Sequence, residues 1–365
     1  MSTLKSIRSS LTTVGRTLAL IVVLFSVASY FISLALGPIL FFSTSDGLAA
    51  ATQRIHVFLF DVFMIVVFPI PTNLSLGAFF IGIWAIFIAC ILAAWVEKEN
   101  FVSSVRGALS RPIRLAKTSF LYVMPLVASA LVVATVIISW FQEAQGVQTG
   151  SIDFGTANPY VILAELSFAP IQEEFAFRIT SIGIPLAIIL LILYRSDQRI
   201  SGAKNKLKLF VLTMLSPERG KASLGYSNIA ANGFPRGISW AEWALILLTS
   251  AVFGLAHFLS GGGWEIGKVS TAFLAGFVFA IMYVSYGAYA SILLHWFFNY
   301  YFTVLDQGAS VYGGFFSGLA NVAEFTAFGA GGIVLVAFSL YTAYRIGTHL
   351  AARASGQNVT PTAMA

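Results

Sequence analysis

The chain has 365 residues, 58% of them hydrophobic and only 10% charged, and its mean hydropathy is +0.85. Soluble globular domains carry about 25% charged residues, so this balance excludes an ordinary soluble domain and points to a polytopic helical membrane protein. The net charge of +6 sits on loop lysines and arginines, which positive-inside sorting explains without a nucleic-acid partner.

Lys5, Arg8 and Arg16 lead into the apolar run "TLALIVVLFSVASYFISLALGPILFF". It is longer than a signal-peptide core of about 7–15 residues, so the sequence predicts a retained first membrane helix near 17–42. Further spans are predicted near 75–95, 118–141, 240–259, 268–286 and 324–344. The shorter segment 55–70 ends at "FPIPTN" and is expected to be a tilted span or a re-entrant element. The one cysteine, Cys90, lies inside an apolar run, which excludes an intramolecular disulfide and a cysteine metal cluster.

The segments 159–195 and 288–305 differ because they carry polar residues. In the first, one helix is expected from near Pro170 to Tyr194, with 159–169 as a short entry segment. The expected fold class is therefore all-α, a multi-pass bundle of about eight or nine transmembrane helices in the cell membrane. Residues 1–117 read as accessory helices, 118–345 as the main bundle and 346–365 as a disordered cytoplasmic tail.

Loop 96–117 carries Lys98, Arg106, Arg111, Arg114 and Lys117, and loop 195–239 is basic throughout. Segments 142–158 and 306–323 contain no lysine or arginine. The first pair should be cytoplasmic and the second external. Three crossings before residue 96 would place Lys5 and Arg8 outside, so one early segment is expected not to cross. Within 204–221, Leu207, Phe210, Val211, Met214 and Leu215 recur at helical spacing beside lysines, as in an interfacial amphipathic helix or a solvated loop helix.

The chemistry concentrates in "FAPIQEEFAFRIT", residues 168–180. A charge at bilayer depth costs about 2.5–3.5 kcal/mol on insertion scales, so it is usually paired or functional. Glu174 and Arg178 are four apart on one helix face and can pair; Glu173 points about 100° away and has no partner on its own helix. A poorly solvated free carboxylate suits a general base that takes a proton from water. The competing reading is a buried ionic knot between helices.

Two of the four histidines lie in apolar helices: His257 in "AVFGLAHFLS" and His295 in "SILLHWFFNY", with Asn299 one turn after His295. His56 lies at a helix start and His349 in the charged tail. Glu173 with His257 can activate a water, and His295 with Asn299 can donate hydrogen bonds to a tetrahedral oxyanion. HExxH and GxGD are absent, and "FFSG" at 315–318 lacks the first glycine of GxSG. Asp61, Glu165 and Glu242 lack histidine partners at useful spacing; Asp61 can pair across elements and Glu242 suits a helix start.

In that order, "EEFAFR", "FGLAH" and "HWFFN" fit EExxxR, FxxxH and HxxxN. The chain thereby resembles the CAAX protease and bacteriocin-processing (Abi) family, which includes the type II CAAX prenyl endopeptidases. The resemblance spans about residues 160–305 and makes 118–345 a catalytic bundle. It implies a glutamate-dependent intramembrane endopeptidase with no metal or other cofactor, acting on a membrane-associated protein or peptide. It makes Glu173 and His257 the water-activating pair, His295 and Asn299 the oxyanion hole, and Glu174 and Arg178 their support. The chain departs from the pattern at Ile179, where glycine is common, and in its long loop 196–239. Three other readings stay open: a zinc protease using Glu173, His257 and His295, a transporter or proton relay, and a non-catalytic scaffold or immunity protein.

Overall fold

The computed structural model describes residues 2–97, 99–152 and 154–354. A long first helix, α1 (Ser2–Ser43), leads through α2 (Ser45–Thr52) to the strands β1 (Arg54–Val62) and β2 (Val66–Ser75). Then come α3 (Leu76–Trp95), the short α4 (Phe101–Gly107) and α5 (Phe120–Glu143). The next membrane helix is composite: α6 (Pro159–Glu174), a π-helical stretch Phe175–Gly183, and α7 (Ile184–Leu193). A loop domain holds α8 (Ala203–Leu215), α9 (Pro217–Ser223) and α10 (Ile229–Asn232). The bundle closes with α11 (Trp240–Leu259), α12 (Lys268–Tyr286), α13 (Ala288–Trp296), a π-turn Phe297–Tyr301, α14 (Phe302–Tyr312) and α15 (Gly314–Ala354).

Among the described residues, seven helices are long and apolar enough to cross a bilayer. The run 288–312, helical throughout and buried along most of its length, is long enough for an eighth traverse. Its 25 residues span about 37 Å, enough for a hydrocarbon core of about 30 Å. The expected all-α membrane bundle is therefore what forms. Outward-facing Leu, Ile, Val and Phe side chains on α1, α3, α5 and α15 make its lipid-facing surface.

One expectation narrows and two change. Segment 55–70 is not a span: it is the antiparallel hairpin β1–β2, with Phe60 opposite Phe68 and Val62 opposite Val66. Alternating β-branched and aromatic residues favour a strand, and Pro69 and Pro71 disrupt a helix. Phe63 and Met64 turn the chain at φ of 48° and 67°, and the Phe63 N–H donates to Thr180 Oγ1 at 2.9 Å. The hairpin thus enters beside α6 and returns to the face it came from, so it is a re-entrant element.

Second, the fourth membrane helix starts at Pro159, eleven residues before Pro170. Asn158 caps it by accepting from the Tyr160 N–H at 2.8 Å, and Pro159 occupies the first turn, a stronger start signal than Pro170. Third, α15 continues to Ala354, so 346–354 are helical; the rest of the expected tail, and the side chains of Lys5, Arg8, His349 and Arg353, lie outside the described residues.

Because the hairpin does not cross, two traverses precede residue 96 and the start of α1 shares a face with loop 96–119. Arg16 Nη1 donates to the Leu109 carbonyl at 2.9 Å across that face. The same face holds Glu97, which accepts from the Tyr289 hydroxyl and lies 3.6 Å from Arg219 Nη2. Burial raises the Glu97 carboxyl above its usual range, opposed by the Tyr289 hydrogen bond and Arg219. The loop domain is pinned there by a buried Lys221–Glu242 pair at 2.7 Å, and Glu242 also completes a capping box with Ser239.

The amphipathic α8 packs Leu209 and Thr213 inward and leaves Leu207, Val211 and Leu215 exposed beside its lysines. Its last turn closes on the π-stretch, where Tyr283 donates to the Met214 carbonyl. A Cβ on Gly183 would lie 2.6 Å from that carbonyl oxygen and 3.0 Å from the Met214 Cα. Both are backbone atoms, so Gly183→Ala forces helices apart and should cost about 1–3 kcal/mol. A lowered melting temperature of the purified protein in detergent micelles is the expected readout, and an unchanged melt would refute this packing.

Candidate active site

The π-stretch Phe175–Gly183 follows directly on Glu173 and Glu174. Such widened turns leave carbonyls short of their helical donors, which is costly inside a membrane. Here the Thr180 and Ser181 hydroxyls both donate to the Ala176 carbonyl, at 2.8 and 2.7 Å. A second π-turn, Phe297–Tyr301, holds Asn299. This second π-turn packs against α6, whereas Phe175–Gly183 packs against α11, α8 and β1.

Glu174 and Arg178 are fully buried and meet across one turn, Oε2 to Nε at 3.2 Å. The contact is a charge pair without hydrogen-bond alignment, since neither atom has a bonded partner. Arg178 Nη2 instead donates to the Gly276 carbonyl on α12 at 2.9 Å. Its guanidinium lies over Phe253 at 4.7 Å, Phe279 at 5.6 Å and Phe177 at 5.7 Å, so aromatic faces replace its water.

Glu174 has a second task that spacing along the chain does not disclose. Its Oε1 lies 3.0 Å from Nδ1 of His295, on a helix 121 residues away. An ionised carboxylate only accepts, so Nδ1 donates and the tautomer of His295 is fixed from behind. The imidazole stacks on Phe279 with ring centres 4.7 Å apart. Nε2 then faces Glu173 Oε2 at 3.8 Å, a contact too long for a hydrogen bond.

His257 is fixed in a similar way. Its Nδ1 donates to the Phe253 carbonyl one turn back at 2.8 Å, which leaves the Nε2 lone pair free. The sequence groups Glu173 with His257; here the histidine that approaches Glu173 is His295, and His257 stands across a shared cavity. That cavity, about 590 Å³, is lined by Glu173, His257 and Asn299 together with Lys268, Trp264 and Asp61. A second, about 480 Å³, adjoins it along His257, Asn299 and Lys268 and reaches His295 and Phe279. All six motif residues therefore converge on one place.

Several lining residues carried no signal in the motifs. Lys268 stands in both cavities with its ammonium 3.7 Å from the Trp264 ring. Asp61, from the hairpin, accepts from Gln172 Nε2 at 2.7 Å beside Glu173. Phe60 packs on Phe175 with ring centres 4.8 Å apart, so the hairpin forms a wall of the site. Glu165 is exposed on α6 away from the cluster. Among the described residues no group of three or more His, Cys, Asp or Glu side chains is arranged to hold a metal ion.

Comparison with known proteins gives one match. Residues 155–301 fit the family model described as type II CAAX prenyl endopeptidase, Rce1-like. No curated protein and no solved structure matches the chain.

Replacing Glu174 by Gln leaves the Arg178 charge buried without its partner, which should cost about 3–5 kcal/mol of stability. Glu173→Gln removes a carboxylate that holds no such pair and should fold normally. Thermal unfolding of the two variants side by side checks this, and equal losses would overturn the division of labour between the two glutamates.

Proposed function

With residues 155–301 belonging to the Rce1-like type II CAAX prenyl endopeptidase family, we propose that the chain is an intramembrane endopeptidase that hydrolyses a peptide bond of a membrane-associated protein or peptide. The observation that carries this reading is Glu173 Oε2. It is a buried carboxylate oxygen with no hydrogen-bond partner, on a residue that faces a cavity shared with His257 and Asn299. Buried acceptors are rarely left unpaired, and a water in the cavity is its natural donor.

Glu173 takes a proton from that water as its oxygen attacks the scissile carbonyl carbon. The free Nε2 of His257 accepts the second water hydrogen and aligns the attack. Charge that develops on the carbonyl oxygen is met by the Asn299 amide and by His295 Nε2. Nε2 is a donor there in the imidazolium form, in which Nδ1 still donates to Glu174. Collapse of the tetrahedral intermediate breaks the C–N bond, and the proton held by Glu173 passes to the leaving amine. Glu174 and Arg178 act through His295 and the helix positions, as positioning residues.

Glu173→Gln should abolish cleavage, while Asn299→Ala, which removes one oxyanion donor, should lower turnover about 10²–10³-fold. Quantitative proteomics of membrane peptides from cells expressing wild-type or Glu173→Gln protein supplies the substrates for that comparison. Full cleavage by Glu173→Gln would end the general-base assignment. Loss of wild-type cleavage with a strong chelator would favour zinc in its place.

A further inference from the structure

Both cavities open on the same side of the molecule. Their outer rims are formed by Trp140 and Glu143 at the end of α5, by Thr149, Ile152 and Phe154 in the following loop, and by Ser260, Trp264 and Lys268 between α11 and α12. Those loops are tied to each other: the Glu265 N–H donates to the Thr149 carbonyl at 3.1 Å and the Ser151 N–H to Gly263 at 3.1 Å. No residue of loops 96–119 or 194–239 lines either cavity.

Toward the opposite face the site is closed. Beyond His295 lie Ser291, Leu294, Tyr283 and Tyr286, all buried. Tyr283 is latched to Met214, and a Cβ on Gly287 would lie 2.7 Å from the Leu215 carbonyl, so the end of α8 plugs this side. The plugged face bears the cationic loops. On the open face, Arg54 and Lys268 are the two lysine or arginine side chains.

We infer that the catalytic cavity opens on the non-cytoplasmic face of its membrane, and that its substrate is the extended, membrane-anchored segment of an exported chain. Two independent features combine here: the charge asymmetry that sets orientation during insertion and the one-sided access built into the helices. The carboxylate sits about 21 Å along its helix from Pro159 on the open side, so a substrate must thread inward from that face. A peptide bond in a cytosolic protein has no path to Glu173. The inference about substrate rests on the protease reading; the inference about orientation does not.

The test uses full-length protein in intact cells and a sulfonated, membrane-impermeant maleimide, with the buried Cys90 as the unreactive background. Single cysteines replace Ser151 and Ser260 at the rim, Ser139 in the cavity wall, and Ser110 and Ser201 on the basic face. Ser151→Cys, Ser260→Cys and Ser139→Cys should label in intact cells, whereas Ser110→Cys and Ser201→Cys should label only after permeabilisation. The reverse pattern, or a Ser139→Cys that labels only after permeabilisation, overturns the orientation. Having two rim and two basic-face positions keeps the outcome readable if one variant fails to fold. In the proteomic comparison, fragments lost in Glu173→Gln should derive from exported segments, and fragments from cytosolic segments would overturn the substrate class. If no fragment depends on Glu173, the protease reading falls while the labelling still decides the orientation.

Discussion

A single buried cation organises the centre of this bundle. Arg178 is fully buried, so its charge must be neutralised by the protein itself. Glu174 supplies the charge, the Gly276 carbonyl takes one donor, and Phe177, Phe253 and Phe279 present their ring faces. Since these groups come from α6, the π-stretch, α11 and α12, enclosing one guanidinium ties four elements to each other. Glu174 then passes the constraint to His295 on α13. The catalytic geometry is in this sense a by-product of solvating a charge without water.

Leaving Glu173 outside this network is what gives it chemical freedom. Two adjacent carboxylates on one helix would ordinarily repel, and here one is spent against Arg178 while the other looks into the cavity. Its neighbours are histidines held by their rear nitrogens, one by a carboxylate and one by a backbone carbonyl. Both keep their front nitrogen for the cavity. Rigid support behind and open valence in front is the arrangement that hydrolytic sites need.

Much of this was legible in the sequence, for identifiable reasons. Membrane spans announce themselves by length and apolarity, and the i,i+4 relation of Glu174 and Arg178 is a property of helices that survives even a π-stretch. The relation between Glu174 and His295 was not legible, because nothing in local spacing encodes a contact over 121 residues. The hairpin was half legible: its prolines and shortness ruled out an ordinary span, but helical expectation dominates in apolar runs, so two strands were not anticipated. Once the hairpin is seen to return to its own face, the orientation of Lys5, Arg8 and Arg16 agrees with the other basic segments. Pro170 misled as a first-turn signal, because the helix begins at Pro159 and the surrounding bundle accommodates Pro170 inside it.

The π-stretches have a consequence for how the protein tolerates change in length. Each is equivalent to one extra residue accommodated in an otherwise regular helix. Deleting a residue between Phe175 and Gly183 would restore regular winding and leave Ile184–Leu193 facing α8 as before, whereas the same deletion in a regular stretch would turn everything beyond it by about 100°. The widened turn is therefore the place where this helix can absorb a change in length without turning either end away from its neighbours.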